Sequence, residues 1–206
     1  MHAKPRLRGS YKKSETSRRQ VLEAAVQALA KRGYAKTSVS DIALAAGMSK
    51  GAVHYHFESK DDLIAKVLEH CATVAGERVR EAWDRPGEPT ERIRRAIHEM
   101  RSMRKEGVPE LRVLADLTAQ GLHDARLRTA LGKVFETNRK QFVDHLTKSL
   151  DAMGLKSKIP VHIVPRLMLG ALDGLAIHDY FDPPGVGDDE LVELALDGIG
   201  LSLFEM

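Results

Sequence analysis

Residues 37–60 read TSVSDIALAAGMSKGAVHYHFESK and carry the signals of two short helices separated by a tight turn. Ser38 and Asp41 have the spacing of a capping box at a helix start. Gly47 suits the left-handed position that ends this helix, and Ser49 is a good N-cap for the next one. The stretch therefore predicts a helix-turn-helix, whose second helix is built to enter the major groove of DNA.

The second helix, predicted over about residues 50–57, has a small and basic first turn. Such a turn allows close approach to DNA, and the helix N-terminus favours a phosphate. Val53 and Phe57 should face the core, which leaves a polar and aromatic face for the groove. Lys60 begins a third helix behind a Ser cap, where an anion is also favoured. The candidate DNA-binding residues are Thr37, Ser38, Ser49, Lys50, Gly51, Ala52, His54, Tyr55, His56 and Lys60.

The charge of the chain is unevenly distributed. Residues 1–60 carry 12 Lys and Arg against 4 Asp and Glu, whereas residues 61–206 carry 20 against 25. A basic N-terminal part, residues 1–60, followed by an acidic remainder is typical of a nucleic-acid-binding domain joined to a second domain that does not bind nucleic acid. The basic block coincides with the helix-turn-helix, which favours this interpretation over a chance distribution.

Length and composition exclude several classes of protein. A chain of 206 residues forms one or two domains and buries a core without disulfides. The single cysteine, Cys71, excludes an internal disulfide framework and fits a reducing cytoplasm. No apolar run is long enough to span a membrane, and no secretory signal is recognisable. The histidines are scattered, so neither a metal nor a cofactor is expected.

Beyond residue 60 the spacing of apolar residues is helical almost throughout, which predicts an all-α fold of about nine helices. We expect a flexible basic arm at 1–14, the helix-turn-helix domain at 15–60 and a larger helical bundle at 61–206. The first helix is predicted to begin near residue 15. Gly154 to Pro160 reads as a loop, and no strand signal exceeds a few residues.

One motif suggests an enzyme. Gly47–Gly51 matches G-x-S-x-G, the nucleophile elbow of hydrolases. That elbow requires a buried strand before the serine, whereas the preceding residues are alanine-rich and helical in pattern. We therefore interpret the match as coincidental and expect no enzymatic activity.

The stretch from Arg19 to Leu63 resembles the DNA-binding domain of the TetR/AcrR family of bacterial transcriptional regulators. The resemblance is carried, in order and spacing, by Ala24-Ala25, Gly33-Tyr34, Thr37, Ile42-Ala43, Ala46-Gly47, Ser49-Lys50-Gly51, Tyr55-His56-Phe57 and Ser59-Lys60. Farther on, Asp173-Gly174-Leu175-Ala176 followed by Asp182-Pro183 resembles the BetI-like subgroup over a short match. The resemblance implies a bacterial cytoplasmic repressor that a small molecule releases from a palindromic operator.

The resemblance also implies that the 61–206 region binds an effector and forms a homodimer through its last two helices. An apolar or mixed ligand is favoured over a choline-type one, because only six aromatic residues follow residue 60. Asp116 is expected either to line the effector pocket or to face water. The candidate ligand-binding residues are Trp83, Met100, Met103, Leu114, Leu117, Phe142, His145 and His178. The candidate interface residues are Leu167, Gly170, Ala171, Gly174, Leu175, Leu191, Leu194, Ala195 and Ile199.

One alternative remains open at this point. A DNA-binding architectural protein, or one regulated by a protein partner, would share the helix-turn-helix and lack the small-molecule switch. Neither the effector, the operator nor the direction of regulation follows from the residues, because base readout depends on side-chain poses and on DNA shape.

Overall fold

A computed structural model describes residues 7–185 and 187–205, and over these ranges the fold is all-α with nine α-helices. The helices are α1 (Leu7–Arg32), α2 (Val39–Ala45), α3 (Lys50–His56), α4 (Lys60–Asp84), α5 (Pro89–Lys105), α6 (Pro109–Gly121), α7 (Ala125–Met153), α8 (Val164–Phe181) and α9 (Asp188–Ser202). The predicted fold class is confirmed. In the part of the chain described, no helix is both long and apolar enough to cross a lipid bilayer.

The chain forms two compact units. The head unit comprises the chain up to Ala72 together with Arg112–Gly132. The body unit comprises Thr73–Leu111 together with the chain from Lys133 onward. Helices α4, α6 and α7 contribute residues to both units, so each unit is built from segments that are distant in sequence.

The first helix is longer than the sequence pattern predicts. It begins at Leu7 and not near residue 15, so part of the segment predicted as a flexible arm is helical. Gly9 lies within the helix, where a glycine costs only about 1 kcal/mol relative to alanine. The basic residues around it are good helix formers, and Pro5 lies before the helix start. Residues 1–6 lie outside the described residues, and their flexibility stays a prediction.

The head unit is held together by the apolar faces of its first three helices. Helix α1 packs against α2 and α3, and α2 packs against α3. Full burial of each large aliphatic side chain stabilises the fold by about 1.5–3 kcal/mol. The buried residues in these elements and the adjoining turns are Val21, Leu22, Ala25, Val26, Leu29, Ile42, Ala43, Ala46, Val53 and Phe57.

In the body unit, α5 packs against both α8 and α9 around one apolar core. This core runs from Val79 and Trp83 on α4 to Leu196 on α9. A Cβ added to Gly200 would lie 2.2 Å from Cδ1 of Ile97, so the glycine permits the close approach of α9 to α5.

Two short strands were not predicted by the sequence pattern. Strand β1 (Lys156–Ser157) lies in the expected loop after α7, and β2 (Phe204–Glu205) follows α9. The strands pair antiparallel, with Ser157 opposite Phe204. Phe204 is buried against the body core, which explains why the chain leaves the helix. A 3₁₀ turn, Val161–Ile163, precedes α8.

Candidate functional site

The first helix of the helix-turn-helix begins with the capping box expected from the sequence. The Asp41 N–H donates to the Ser38 hydroxyl at 3.2 Å, and the Ser38 N–H donates to the Asp41 carboxylate at 2.9 Å. Arg32 donates to the same carboxylate at 2.7 Å. The hydrogen bonds from Ser38, and then the one from Arg32, lower the pKa of Asp41 from 3.8 to about 2. These local contacts fix where α2 begins.

The turn and the second helix also follow from local signals. Gly47 has a φ of +65°, which L-residues with a side chain rarely adopt. Ser49 caps α3 by accepting the Ala52 N–H at 3.1 Å. Val53 and Phe57 are buried and hold α3 on the head core. Their burial determines which side of α3 remains for a ligand.

The outward side of α3 is polar, aromatic and accessible. Tyr55 is 79% exposed, and Lys50, Gly51 and His54 are also exposed. His56 is half-buried and meets the Tyr55 ring edge to face, at 5.1 Å between centroids. Exposed aromatic and imidazole side chains on a helix that begins with an exposed lysine suit contact with base edges and phosphates.

Lys60 lies behind this surface and has local partners. Its ammonium donates to the Thr37 carbonyl at 2.9 Å and stands 4.4 Å from the centre of the Tyr34 ring. Burial, and then the negative charges of Asp61 and Asp124, raise the pKa of Tyr34. Lys60 thus clamps the loop between α1 and α2 while it remains only partly buried.

One candidate DNA-binding side chain is placed differently from the expectation. Thr37 is 2% exposed, and its hydroxyl donates to the Gly33 carbonyl at 2.7 Å. The hydroxyl thus provides a hydrogen-bond donor for a carbonyl just after α1, and it is turned away from solvent. The Thr37 side chain is therefore poorly placed for a direct phosphate contact, whereas Ser38 next to it is exposed.

A structural residue of the head was missed by sequence reasoning, which placed Asp116 in a pocket or in water. Its carboxylate accepts the Tyr34 N–H at 2.7 Å across 82 positions of sequence. Asp116 therefore ties α6 to the loop that carries the start of α2. No short-range pattern marks such a pair, because only the tertiary fold brings the two residues together.

The eight candidate ligand-binding residues are divided between the units. Leu114 and Leu117 belong to the head unit and the other six to the body unit, so neither unit contains them all. His178 is exposed, because α8 buries a stripe that includes Met168 and Leu172, and His178 lies off that stripe. The remaining candidates that belong to the body core or pack against it are Trp83, Met100, Met103 and Phe142.

Three nitrogen atoms in the body unit are buried without a hydrogen-bond partner among the described residues: Trp83 Nε1, His145 Nε2 and Arg101 Nε. The Trp83 side chain is 6% exposed. His145 Nε2 lies 3.2 Å from Oδ1 of the neighbouring Asp84, at an angle outside hydrogen-bond geometry. A buried polar group left without a partner costs about 1–3 kcal/mol, so an acceptor brought to Trp83 by a ligand would be favoured.

The body unit also contains a groove of about 300 Å³ at the end of α4, along α5 and α9. Charges of both signs line it and pair across it, with 3.4 Å between Arg94 and Asp197 and 3.8 Å between His98 and Glu193. None of the eight candidate ligand-binding residues lines this groove. Two residues of the body core, Ile97 and Leu196, also line the groove.

Helices α8 and α9 expose apolar side chains. Of the nine candidate interface residues seven are exposed, and Gly174 and Leu175 are half-buried. Leu194 is 69% exposed. Large exposed apolar side chains in such number on two helices are typical of an interaction site. Other exposed apolar residues on α8 are Leu169, Ile177, Tyr180 and Phe181.

The G-x-S-x-G match at Gly47–Gly51 does not form a nucleophile elbow. Helix α2 precedes it in place of a strand, and the Ser49 hydroxyl caps α3. Within residues 7–185 and 187–205, no group of three or more His, Cys, Asp or Glu side chains is placed to hold a metal ion.

Two family models match the chain. The model for bacterial regulatory proteins of the tetR family matches residues 21–67. The model for the C-terminal domain of BetI-type transcriptional repressors matches residues 89–202, more than half of the chain. The chain therefore belongs to the TetR family of bacterial regulatory proteins, with a C-terminal part of the BetI type.

Relatives and solved structures agree with this membership. The HTH-type transcriptional regulator PksA of Bacillus subtilis (strain 168) is 25% identical over 185 residues, which are 90% of this chain and 89% of PksA. A putative TetR-family regulator from Rhodococcus sp. has a TM-score of 0.75 at 21% identity, over 91% of this chain and 98% of its own. FadR from Bacillus subtilis, in complex with stearoyl-CoA, has a TM-score of 0.61 at 20% identity, over 90% of this chain and 96% of its own.

Family membership defines the class of function. The chain is a ligand-responsive, DNA-binding transcriptional regulator of a family whose members are typically repressors. TetR-family regulators bind operator DNA as dimers and respond to small-molecule effectors. Its relatives are regulators and not enzymes.

Proposed function

We propose that two copies of this chain bind a palindromic operator through α3 of each subunit, and that a small molecule in the body unit releases them. Residues 15–60 then form the DNA-binding domain, and 61–206 carry effector binding and dimerisation. The observation that supports the DNA part is the outward face of α3, where Tyr55, His54 and Lys50 are exposed above a buried apolar framework.

We assign the closest approach to DNA to the first turn of α3. Gly51 and Ala52 carry no bulky side chain there, and the free N–H groups of the turn favour a phosphate. His54, Tyr55 and His56 follow on the same short helix and would meet base edges or phosphates. The remaining contacts, to the backbone on either side, would come from Ser38, Ser49, Lys50 and Lys60.

The proposal requires a pair of half-sites. A two-fold dimer reads a palindrome whose half-sites lie about 34–36 Å apart, or a multiple of that distance. Selecting bound duplexes from a random pool with the purified chain tests this directly. Enrichment of a palindrome with one fixed spacing is expected. Binding that depends only on salt, without an enriched sequence, would contradict the operator proposal and favour an architectural protein.

We propose that the apolar faces of α8 and α9 join the two copies. A second copy of the same chain is the occupant that suits this surface, because the chain belongs to a family whose members act as dimers. Small residues on α8, Gly170, Ala171 and Gly174, would let a helix of the partner approach closely. Replacing the exposed Leu194 of α9 by glutamate should dissociate the dimer and leave the chain folded.

We propose that the effector is largely apolar, carries a hydrogen-bond acceptor and binds in the body core beside Trp83. Met100, Met103 and Phe142 supply apolar surface in the same core, and Trp83 Nε1 supplies a buried donor. His145 is the second candidate donor or acceptor. The structural neighbour FadR binds stearoyl-CoA, which suggests acylated molecules as the first class to test.

Trp83 is the single tryptophan of the chain and reports on this core by its own fluorescence. Titration with stearoyl-CoA and with stearic acid should shift the emission and release a labelled operator at the same ligand concentrations. Trp83→Phe keeps an aromatic ring and loses the N–H, so roughly tenfold more ligand should be needed for release. Release at unchanged concentration in a folded Trp83→Phe variant would contradict the proposed site. Absence of any response to both probes would exclude the acyl class.

A further inference from the structure

Arg101 is the most deeply buried charged side chain among the described residues, with 3% exposure in the body unit. It lies on α5 and reaches two other helices. Its Nη1 lies 3.3 Å from Asp179 near the end of α8, and its Nη2 lies 2.6 Å from Asp189 in the first turn of α9. Its Nε is 3.9 Å from Glu193, one turn farther along α9. One guanidinium thus faces three carboxylates on two helices.

Neighbouring side chains extend the same network. Lys105 of α5 also donates to Asp189, and this contact, followed by the one from Arg101, lowers the pKa of Asp189. Arg104 donates to Asp173 of α8 at 2.6 Å. The ion pairs of α5 with α8 and α9 therefore lie along the face that α5 turns towards these helices.

Helices α8 and α9 need such a link. Each packs closely against α5, but they make little close backbone approach to one another. The segment between them, residues 182–187, contains two prolines and two glycines, and its described residues, 182–185 and 187, form no helix or strand. Their relative placement therefore depends on what each of them contacts on α5.

A buried ion pair is a poor source of net stability and a good determinant of geometry. Desolvation offsets most of the attraction, whereas a displaced or missing partner leaves a buried charge uncompensated. The guanidinium is a planar fork with fixed donor directions, so it holds two carboxylates at a defined separation. A lysine in the same position would carry a compact charge without fixed donor directions, so it would not define the separation of the two carboxylates.

We propose that Arg101 is a positioning residue for subunit pairing, which holds the end of α8 and the start of α9 so that their apolar faces form one surface. This inference rests on the proposed dimer face. Tyr180 and Phe181 directly follow Asp179, and Leu191 and Leu194 lie within five residues of Asp189. The ion pairs with α5 therefore hold the end of α8 and the start of α9, the two segments that expose these apolar side chains.

The test compares Arg101→Lys and Arg101→Met with the wild type by sedimentation equilibrium of the full chain. Both variants should keep the helical circular dichroism and dimerise with roughly tenfold or more weaker affinity. Arg78→Met is the control, because Arg78 of α4 pairs with Glu99 of α5 at 2.6 Å and with Glu106 just after α5 at 3.6 Å, and with no residue of α8 or α9 among those described. The control should dimerise like the wild type.

A positional readout separates this role from a general loss of packing. Spin labels at exposed Arg166 on α8 and Glu190 on α9 report the distance between the two helices. Samples diluted with unlabelled chain restrict the measurement to one subunit. Arg101→Lys should broaden the distance distribution, whereas Arg78→Met should not. A narrow, unchanged distribution in Arg101→Lys would overturn the proposal.

The remaining outcomes are also decisive. If Arg101→Met fails to fold, Arg101→Lys and Asp179→Asn carry the test, since each retains the shape of the site. Dimer affinity equal to that of the wild type in these folded variants would overturn the role of Arg101. If Leu194→Glu leaves the dimer intact, the proposed dimer face itself is wrong. If Leu194→Glu dissociates the dimer and the Arg101 variants do not, only the positioning role is wrong.

Discussion

The side chains expected to meet DNA stand on a framework of local interactions at the residue scale. Ser38 and Asp41 define the start of α2, Ser49 defines the start of α3, and Val53 keeps α3 on the core. Thr37 belongs to this framework, because its hydroxyl donates to the Gly33 carbonyl just after α1. We therefore expect that the exposed side chains of α3 can be exchanged without unfolding the head unit.

Tyr55 provides a first prediction. Tyr55→Ala should weaken specific operator binding by about 1–3 kcal/mol, because the exposed ring and hydroxyl are placed for base or phosphate contact. Fluorescence anisotropy with the selected operator measures the change. Leu44→Ala is the matched control, since Leu44 is 82% exposed on α2 and offers no polar group. Equal affinities for the Tyr55 variant and the wild type would contradict the assignment.

Asp41 provides a prediction about pH. Its folded-state pKa of about 2 lies below its ordinary value of 3.8, so its carboxylate contributes stability above about pH 4. That contribution is lost as the pH falls through about 2. The melting temperature of Asp41→Ala should therefore lie below that of the wild type at pH 7, and the gap should narrow in acid. A gap that stays constant from pH 7 to pH 2.5 would show that the carboxylate charge is not involved.

At the scale of elements, the periodicity of apolar residues predicts that a helix exists, and capping residues predict where it ends. Close contacts between helices cannot be predicted from either signal. Helix α3 spans Lys50–His56 where about 50–57 was predicted, and α4 begins at the predicted Lys60. The start of α1 and the strand after α9 were missed, because Gly9 does not break its helix and Phe204 is drawn into a core that the pattern does not show.

Gly200 gives a prediction at this scale. An added Cβ would collide with Ile97, which is itself buried, so Gly200→Ala should lower the free energy of unfolding by about 1–3 kcal/mol. Gly132→Ala is the control within α7, where nothing lies within 4 Å of the added Cβ. That exchange should stabilise the helix by about 0.5–1 kcal/mol. Urea unfolding at one protein concentration compares the two, and equal effects would mean that α9 does not pack on α5 as described.

At the scale of the whole molecule, the basic charge is concentrated in the part that binds DNA, and the acidic charge lies in the remainder. Long-range attraction then orients the chain on DNA and depends strongly on salt. Residues that touch phosphates should contribute to this dependence individually, whereas charges elsewhere should not.

Salt titration provides the corresponding prediction. Lys50→Ala should reduce the slope of log affinity against log salt by about 1, since one phosphate contact is lost. Lys66→Ala serves as the control, because its ammonium is paired with Glu69 at 2.9 Å on α4. Operator titrations at several salt concentrations measure both slopes. An unchanged slope in Lys50→Ala would remove Lys50 from the set of phosphate contacts.

The sequence by itself determined the helix-turn-helix, the outward face of α3 and the all-α class, because capping, turn and periodicity signals act over a few residues. Only the tertiary structure decided that Asp116 holds Tyr34, across 82 positions, and that Arg101 reaches Asp179 and Asp189, across 78 and 88. Pairs so distant in sequence leave no local pattern, because the residues next to an Asp or Arg look the same whether its side chain faces water or a distant partner. The buried charge of α5 becomes visible only when three helices are brought around it.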